Sequence, residues 1–132
     1  LFRSGAREAL YQDARRLPDR VGQHIDEQAF HLALEEIWQL TGEANKYFDA
    51  NAPWKLAKEN NPKLNEVLAV TLEAVRVIAT LLFPFTPDSA RRLLAQLGTS
   101  PDGGIAALSE PLPERTLPTP EPVFARLLDE AL

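Results

Sequence analysis

Trp54 stands directly behind Pro53, with Lys55 beside it and Lys58 one helical turn further on. Proline fixes φ at about −65° and suits the first turn of a helix, so the indole is held in a set direction where a new helix starts. A flat ring preset in this way and flanked by cations is a platform on which an unpaired base can stack. The same ring could instead plug the corner between two helices, packed under Tyr47 or Leu56, and the residue pattern leaves both readings open. Asn45 and Asp49 lie four apart, which on a helix places them on one face just before that corner. A short amide or carboxylate there can read a base edge, and Lys46 adds another cation.

Two other groupings could carry chemistry. His24, Glu27 and His31 are three and four apart and would line one face of an unbroken helix, as a metal site requires. A carboxylate-bridged bundle site also needs matching Glu-x-x-His elements on other helices, and the sequence has none, so a solvated polar face and no metal are expected. Arg15 and Arg16 with Arg20, and Arg91 with Arg92, form small basic clusters that could touch phosphate or simply keep an acidic protein soluble. There is no Gly-rich phosphate loop, no Ser-His-Asp or Cys-His set and no zinc-protease signature. With two His, and carboxylates expected on the solvent faces of helices, the acid–base repertoire is thin. This chain alone is not expected to be an enzyme.

The elements that must position these residues are helical. The chain has 132 residues, 45% hydrophobic and 25% charged, which suits one soluble domain with a single apolar core. It has no Cys, so disulfides and thiolate metal sites are excluded. It has no Met either, and its start at Leu1 reads as a piece of something longer. No signal-peptide pattern opens it, and a cytoplasmic location is expected. The net charge of −5 argues against a dedicated nucleic-acid binder. Yet the segment from Thr99 to Leu132 carries −4 of it, so the body is close to neutral and any attraction to phosphate must be local.

Phe30, Leu34, Ile37, Thr41, Ala44 and Phe48 recur in steps of four and three and predict one apolar helix face. Leu64, Leu68, Thr71, Val75, Ile78, Leu82 and Phe85 repeat the steps. Val67, Ala74 and Leu81 widen that second stripe until the helix must lie between neighbours. Glu73 and Arg76 interrupt it, and it is too short to span a membrane. Asn61-Pro62 predicts a cap with Pro in the first turn. Pro84 and Pro87 break the long helix, Thr86 or Asp88 can cap the next, and Gly98 is its expected stop. An earlier helix covers about Ser4 to Asp26, kinked or split at Pro18. Past Gly98 lie six of the eleven prolines, predicting an extended or partly disordered acidic tail anchored by Ile105, Leu108, Val123 and Phe124. A short closing helix is expected from Val123 to Leu132.

The run Gly42-Glu43-Ala44-Asn45-Lys46-Tyr47 with Ala52-Pro53-Trp54-Lys55-Leu56 resembles the anticodon-binding helical bundle of methionyl-tRNA synthetases. Phe30 to Trp38, the helix ending Leu82-Phe83-Pro84-Phe85-Thr86-Pro87, and Ala90 to Leu97 fit the same family, as does Glu121 to Arg126 at the close. Pieces of the pattern also occur in the sister synthetases for valine, leucine, isoleucine and cysteine. The resemblance implies an all-α, antiparallel helical bundle over residues 1–98 with a Pro-rich tail over 99–132 packed on it. It implies that Trp54 stacks the first anticodon base, that Pro53 positions Trp54, that Asn45 serves as structure near the loop, and that Asp49 makes a weak contact. Lys46, Lys55 and Lys58 would steady the phosphate backbone. The implied partner is tRNA with a CAU anticodon.

The family's other base readers, an Asn and an Arg, sit on a helix before the matched region, so the first bundle helix is expected to be missing. The ATP-handling signatures belong to an upstream catalytic domain, together with any zinc. No cofactor is therefore expected in this chain, which would be inactive alone as a methionine–tRNA ligase. A helical protein-interaction module, taking a partner's amphipathic helix in an open groove, is the alternative from another class.

Overall fold

In the computed structural model, which describes residues 2–109, five α-helices and one 3₁₀ turn follow each other: α1 (Phe2–Asp26), α2 (Phe30–Asn51), α3 (Pro53–Lys58), α4 (Lys63–Leu82), α5 (Pro87–Gln96) and the 3₁₀ turn (Gly104–Ser109). No strand occurs among the described residues, and the helices form an antiparallel bundle. None of them is long and apolar enough to cross a membrane. The anchors Val123 and Phe124, the resembling run from Glu121 to Arg126 and the closing helix all lie outside the described residues.

α1 passes through Pro18 without dividing. Pro18 cannot donate its backbone hydrogen bond, but Leu10, Ala14, Leu17 and Val21 bury one continuous stripe on either side of it, and that burial holds the helix together. α2 buries Ala33, Ile37, Leu40, Ala44, Tyr47 and Asn51. The face is therefore rotated from the expected one. Ile37 and Ala44 belong to it, whereas Phe30 and Leu34 are exposed together with Trp38. Those three recur every fourth residue and form a second, outward apolar row. The sequence contains both overlapping stripes, and only the packing of α1 and α4 selects between them.

α4 is the central element, in contact with all the other helices and with the 3₁₀ turn. Val67, Ala74, Val77, Ile78 and Leu81 join the core made with α1 and α2, while Ala79 packs with Leu94 and Leu97 of α5. Punctuation falls close to the expected signals, but α4 starts at Lys63, so Pro62 stands at its N-cap and not in its first turn. Asn61 Oδ1 accepts the Lys63 N–H at 3.0 Å, capping the turn that contains Pro62. Thr86 takes the position before Pro87, although its hydroxyl turns back to donate to the Leu82 carbonyl at 3.4 Å. Gly98 adopts φ 75° as α5 ends, and Thr99 N–H closes on the Leu94 carbonyl at 2.9 Å, the paired bonding that a left-handed residue permits.

Glu73 and Arg76 do not lie on a solvent face. Arg76 Nε and Nη2 donate to the two Glu73 oxygens at 3.1 and 2.6 Å, with both side chains more than nine-tenths buried. Arg76 Nη1 also reaches the Ala107 carbonyl at 3.2 Å, and Arg15 Nη1 reaches that of Leu108 at 3.0 Å. Two arginines from α1 and α4 thus tie the 3₁₀ turn down, and the expected anchor Leu108 is buried in the same core as the helices.

Along the seam of α1 and α2 runs a shallow groove lined by Asp13, Arg16, Arg20, Glu36, Gln39 and Glu43, among others. Burial, then a hydrogen bond to Asp13, then the charge of that carboxyl raise Glu43 from 4.5 to about 7. Because the folded value lies above the unfolded one, the Glu43 proton stabilises the fold. Its contribution is complete below pH 4.5 and is lost as pH climbs through about 7. Thermal melts at several pH values should therefore decline more steeply across that window in the natural chain than in a Glu43→Gln variant. Parallel curves would show that Glu43 holds no such proton.

Candidate nucleic-acid interface

The corner between α2 and α3 is built by one residue in an unfavourable conformation. Ala52 adopts φ 44° and ψ 64°, the left-handed region that an alanine occupies only at a cost of about 1–2 kcal/mol. Its N–H bonds to the Phe48 and Asp49 carbonyls, both at 3.2 Å, and ends α2. Its carbonyl accepts from Lys55 and Leu56 at 2.9 and 3.3 Å and begins α3. Pro53 occupies the first position of α3 and is buried with Leu56. On the α2 side, Tyr47 and Asn51 are buried, and Asn51 Nδ2 donates to the Tyr47 carbonyl at 2.8 Å.

These residues fill the corner, and Trp54 does not. Its side chain is 51% exposed, so the plug reading fails and the indole is presented to solvent. It leans on one neighbouring ring, that of Phe48, with centroids 6.3 Å apart and planes tilted by 58°. Asn45 and Asp49 are both exposed on α2, one turn apart, as are Lys46 on α2 and Lys55 and Lys58 on α3. The structure thus gathers the expected polar and cationic residues around one end of the bundle. Asn51 is the asparagine that this corner buries, while Asn45 is exposed on α2.

Three contributors carried little signal. Phe48 fitted an apolar stripe and gave no hint of its contact with Trp54. Asn51 is a buried polar residue whose partner is a carbonyl of its own helix. Ala52 has the wrong side chain for a left-handed position, where Gly or Asn would have flagged the turn. The Asn51-Ala52-Pro53 sequence, with its proline, was the one available sign of a boundary.

The other groupings separate. α1 ends at Asp26, so His24, Glu27 and His31 do not share a helix face. His24 Nε2 lies 2.8 Å from a Glu36 oxygen, Glu27 accepts from Gln23 at 3.3 Å, and His31 is exposed on α2. No cluster of three or more His, Cys, Asp or Glu fit for a metal occurs among the described residues. The arginine clusters also disperse: Arg15 holds the 3₁₀ turn, Arg20 pairs with Glu36, and Arg91 lies over the Phe83 ring at 5.0 Å.

An all-α bundle that presents a half-exposed Trp at a helix corner among short polar and cationic side chains has the form of a module for unpaired bases. Residues 3–132 match the family model described as the anticodon binding domain of methionyl tRNA ligase. The chain is 43% identical over 124 residues to a methionine–tRNA ligase of Mycobacterium tuberculosis, covering 89% of this chain and 24% of that protein. It is 37% identical over 129 residues to that of Brucella suis, covering 96% and 25%. The crystal structure of M. tuberculosis methionyl-tRNA synthetase bound by methionyl-adenylate superposes with a TM-score of 0.85 at 41% identity, over 91% of this chain and 25% of that one. This chain belongs to the family of methionyl-tRNA ligase anticodon-binding domains. It spans about a quarter of the length of the curated relatives it matches.

Proposed function

We propose that this domain binds the anticodon loop of methionine tRNA, CAU, as the specificity module of an ATP-dependent methionine–tRNA ligase. The observation that carries the reading is the half-exposed indole of Trp54, fixed behind a left-handed Ala52 and a buried Pro53. An anticodon loop is single-stranded, so its first base can leave the stack and be received on that ring. Asn45 and Asp49 face solvent on the adjoining helix, within the set of groups that read base edges. Lys46, Lys55 and Lys58 attract phosphate locally in a chain whose net charge is negative, and they position the RNA without reading its sequence. This chain is assigned no cofactor. ATP, and zinc where the parent carries it, would be handled by the catalytic domain.

The test is a fluorescence titration of a Trp38→Phe variant, so that Trp54 is the one indole reporting. Hairpins with a CAU loop should quench it more strongly than hairpins with the triplet permuted. Equal quenching by both would remove sequence reading from this surface, and absence of quenching would remove Trp54 from the interface. A second reading is favoured by the outward row of Phe30, Leu34 and Trp38, which suits an amphipathic partner helix. Salt separates the two: RNA binding weakens as salt rises, and apolar docking does not.

A further inference from the structure

We infer that Phe48 is the positioning residue for Trp54: it sets the direction of the stacking ring from the same helix face that presents Asn45 and Asp49. The inference rests on the anticodon reading of Trp54 and adds a residue to it. The corner's backbone is fixed by the bonds through Ala52, but a backbone fixes only where the Trp54 side chain begins. The indole is half in solvent and stands at the second position of a six-residue helix, where its neighbours Lys55, Ala57 and Lys58 are exposed. The ring contact the structure gives it is Phe48, at 6.3 Å and 58°.

Phe48 is itself half-buried, next in sequence to the core residue Tyr47, and is less open to solvent than the indole it meets. A tilted contact restrains an indole without covering it, which leaves ring surface for a base. Asn45, Phe48, Asp49 and Ala52 follow each other in steps of three, one and three. They therefore share one side of the last two turns of α2. Phe48 also ties the corner at the backbone, since its carbonyl accepts the Ala52 N–H. A single residue thus couples the side that carries the polar readers to the orientation of the platform. A ring free to sample several rotamers must be ordered when the base arrives, and a supported ring has already lost that freedom.

The test uses the 132-residue chain with Trp38→Phe, and compares Phe48 with Phe48→Ala, Phe48→Leu and Phe48→Tyr. Time-resolved anisotropy of Trp54 without RNA reads the ring's local motion. Titration with a CAU-loop hairpin reads affinity, and far-UV circular dichroism reads the fold. In Phe48→Ala the fast depolarising component should grow and hairpin affinity should fall about 3–10-fold, the ordering cost of one side chain. Phe48→Tyr should restore both, and Phe48→Leu, which keeps the packing volume but not the ring, should restore the helix content without the affinity. Unchanged anisotropy in Phe48→Ala and Phe48→Leu would overturn the inference, and so would a looser ring with unaltered affinity. A parallel Trp54→Ala variant separates the two levels. If that variant binds the hairpin normally, the anticodon reading fails, and the anisotropy still decides whether Phe48 orients Trp54.

Discussion

Glu73→Ala is expected to cost about 3–5 kcal/mol of stability, because it strips a buried arginine of the carboxylate that accepts two of its hydrogen bonds. Both side chains are more than nine-tenths buried, so water does not replace the lost oxygens. The Ala107 carbonyl, which also accepts from Arg76, is a neutral acceptor and does not replace a carboxylate. A domain of this size has a stability of roughly 5–15 kcal/mol, so the variant should unfold at far lower urea, or not fold at all. Removing both charges together tests the cause. A Glu73→Leu, Arg76→Met double variant should recover most of the loss, since a well-packed apolar pair often matches a buried ion pair. What stays lost is the hold of Arg76 on the 3₁₀ turn. Urea unfolding followed by circular dichroism decides it: a single variant within about 1 kcal/mol of the natural chain would mean that the pair is not shielded from water.

Trp54→Ala should have the opposite profile, a large effect on RNA and a small one on the fold. Losing one stacked base costs about 1–3 kcal/mol, a roughly 5–150-fold rise in Kd for a CAU-loop hairpin. The fold should change by less than about 1 kcal/mol, because the ring is half in solvent and the corner is filled by Pro53, Leu56 and Tyr47. A large fall in melting temperature with unchanged binding would return Trp54 to the role of a core plug. Stacking is blind to base identity, so the same variant should also weaken hairpins with permuted loops. The residual preference for CAU would then report on groups such as Asn45 and Asp49.

The helix boundaries were legible because they rest on local chemistry. Asn61 accepts from the Lys63 N–H at the start of α4, Gly98 takes the positive φ that glycine permits, Pro84 stands between α4 and α5, and Pro87 opens α5. The central place of α4 was legible because its apolar residues cover too much of its girth for one neighbour. Features that depend on distant partners were not legible. The face of α2 is chosen by α1 and α4, which is why Phe30 and Leu34 point outward while Ala33 and Leu40 are buried. Glu73 and Arg76 read as polar breaks in an apolar helix, and their burial makes sense only once the 3₁₀ turn arrives 31 residues later. At the candidate site the aromatic and polar residues were legible from their types and spacing. Its geometry was not, since an alanine at a left-handed position and a phenylalanine touching a Trp six residues on leave no pattern.

The two indoles have a practical consequence for anyone measuring this protein. Trp38 is 72% exposed and Trp54 51%, so both already sit in water in the native state. Unfolding moves neither into a much more polar medium, and the emission spectrum should shift little as the helices melt. Intrinsic fluorescence is therefore close to silent on folding and free to report on ligands. An emission curve that stays flat in denaturant says nothing about how stable the domain is.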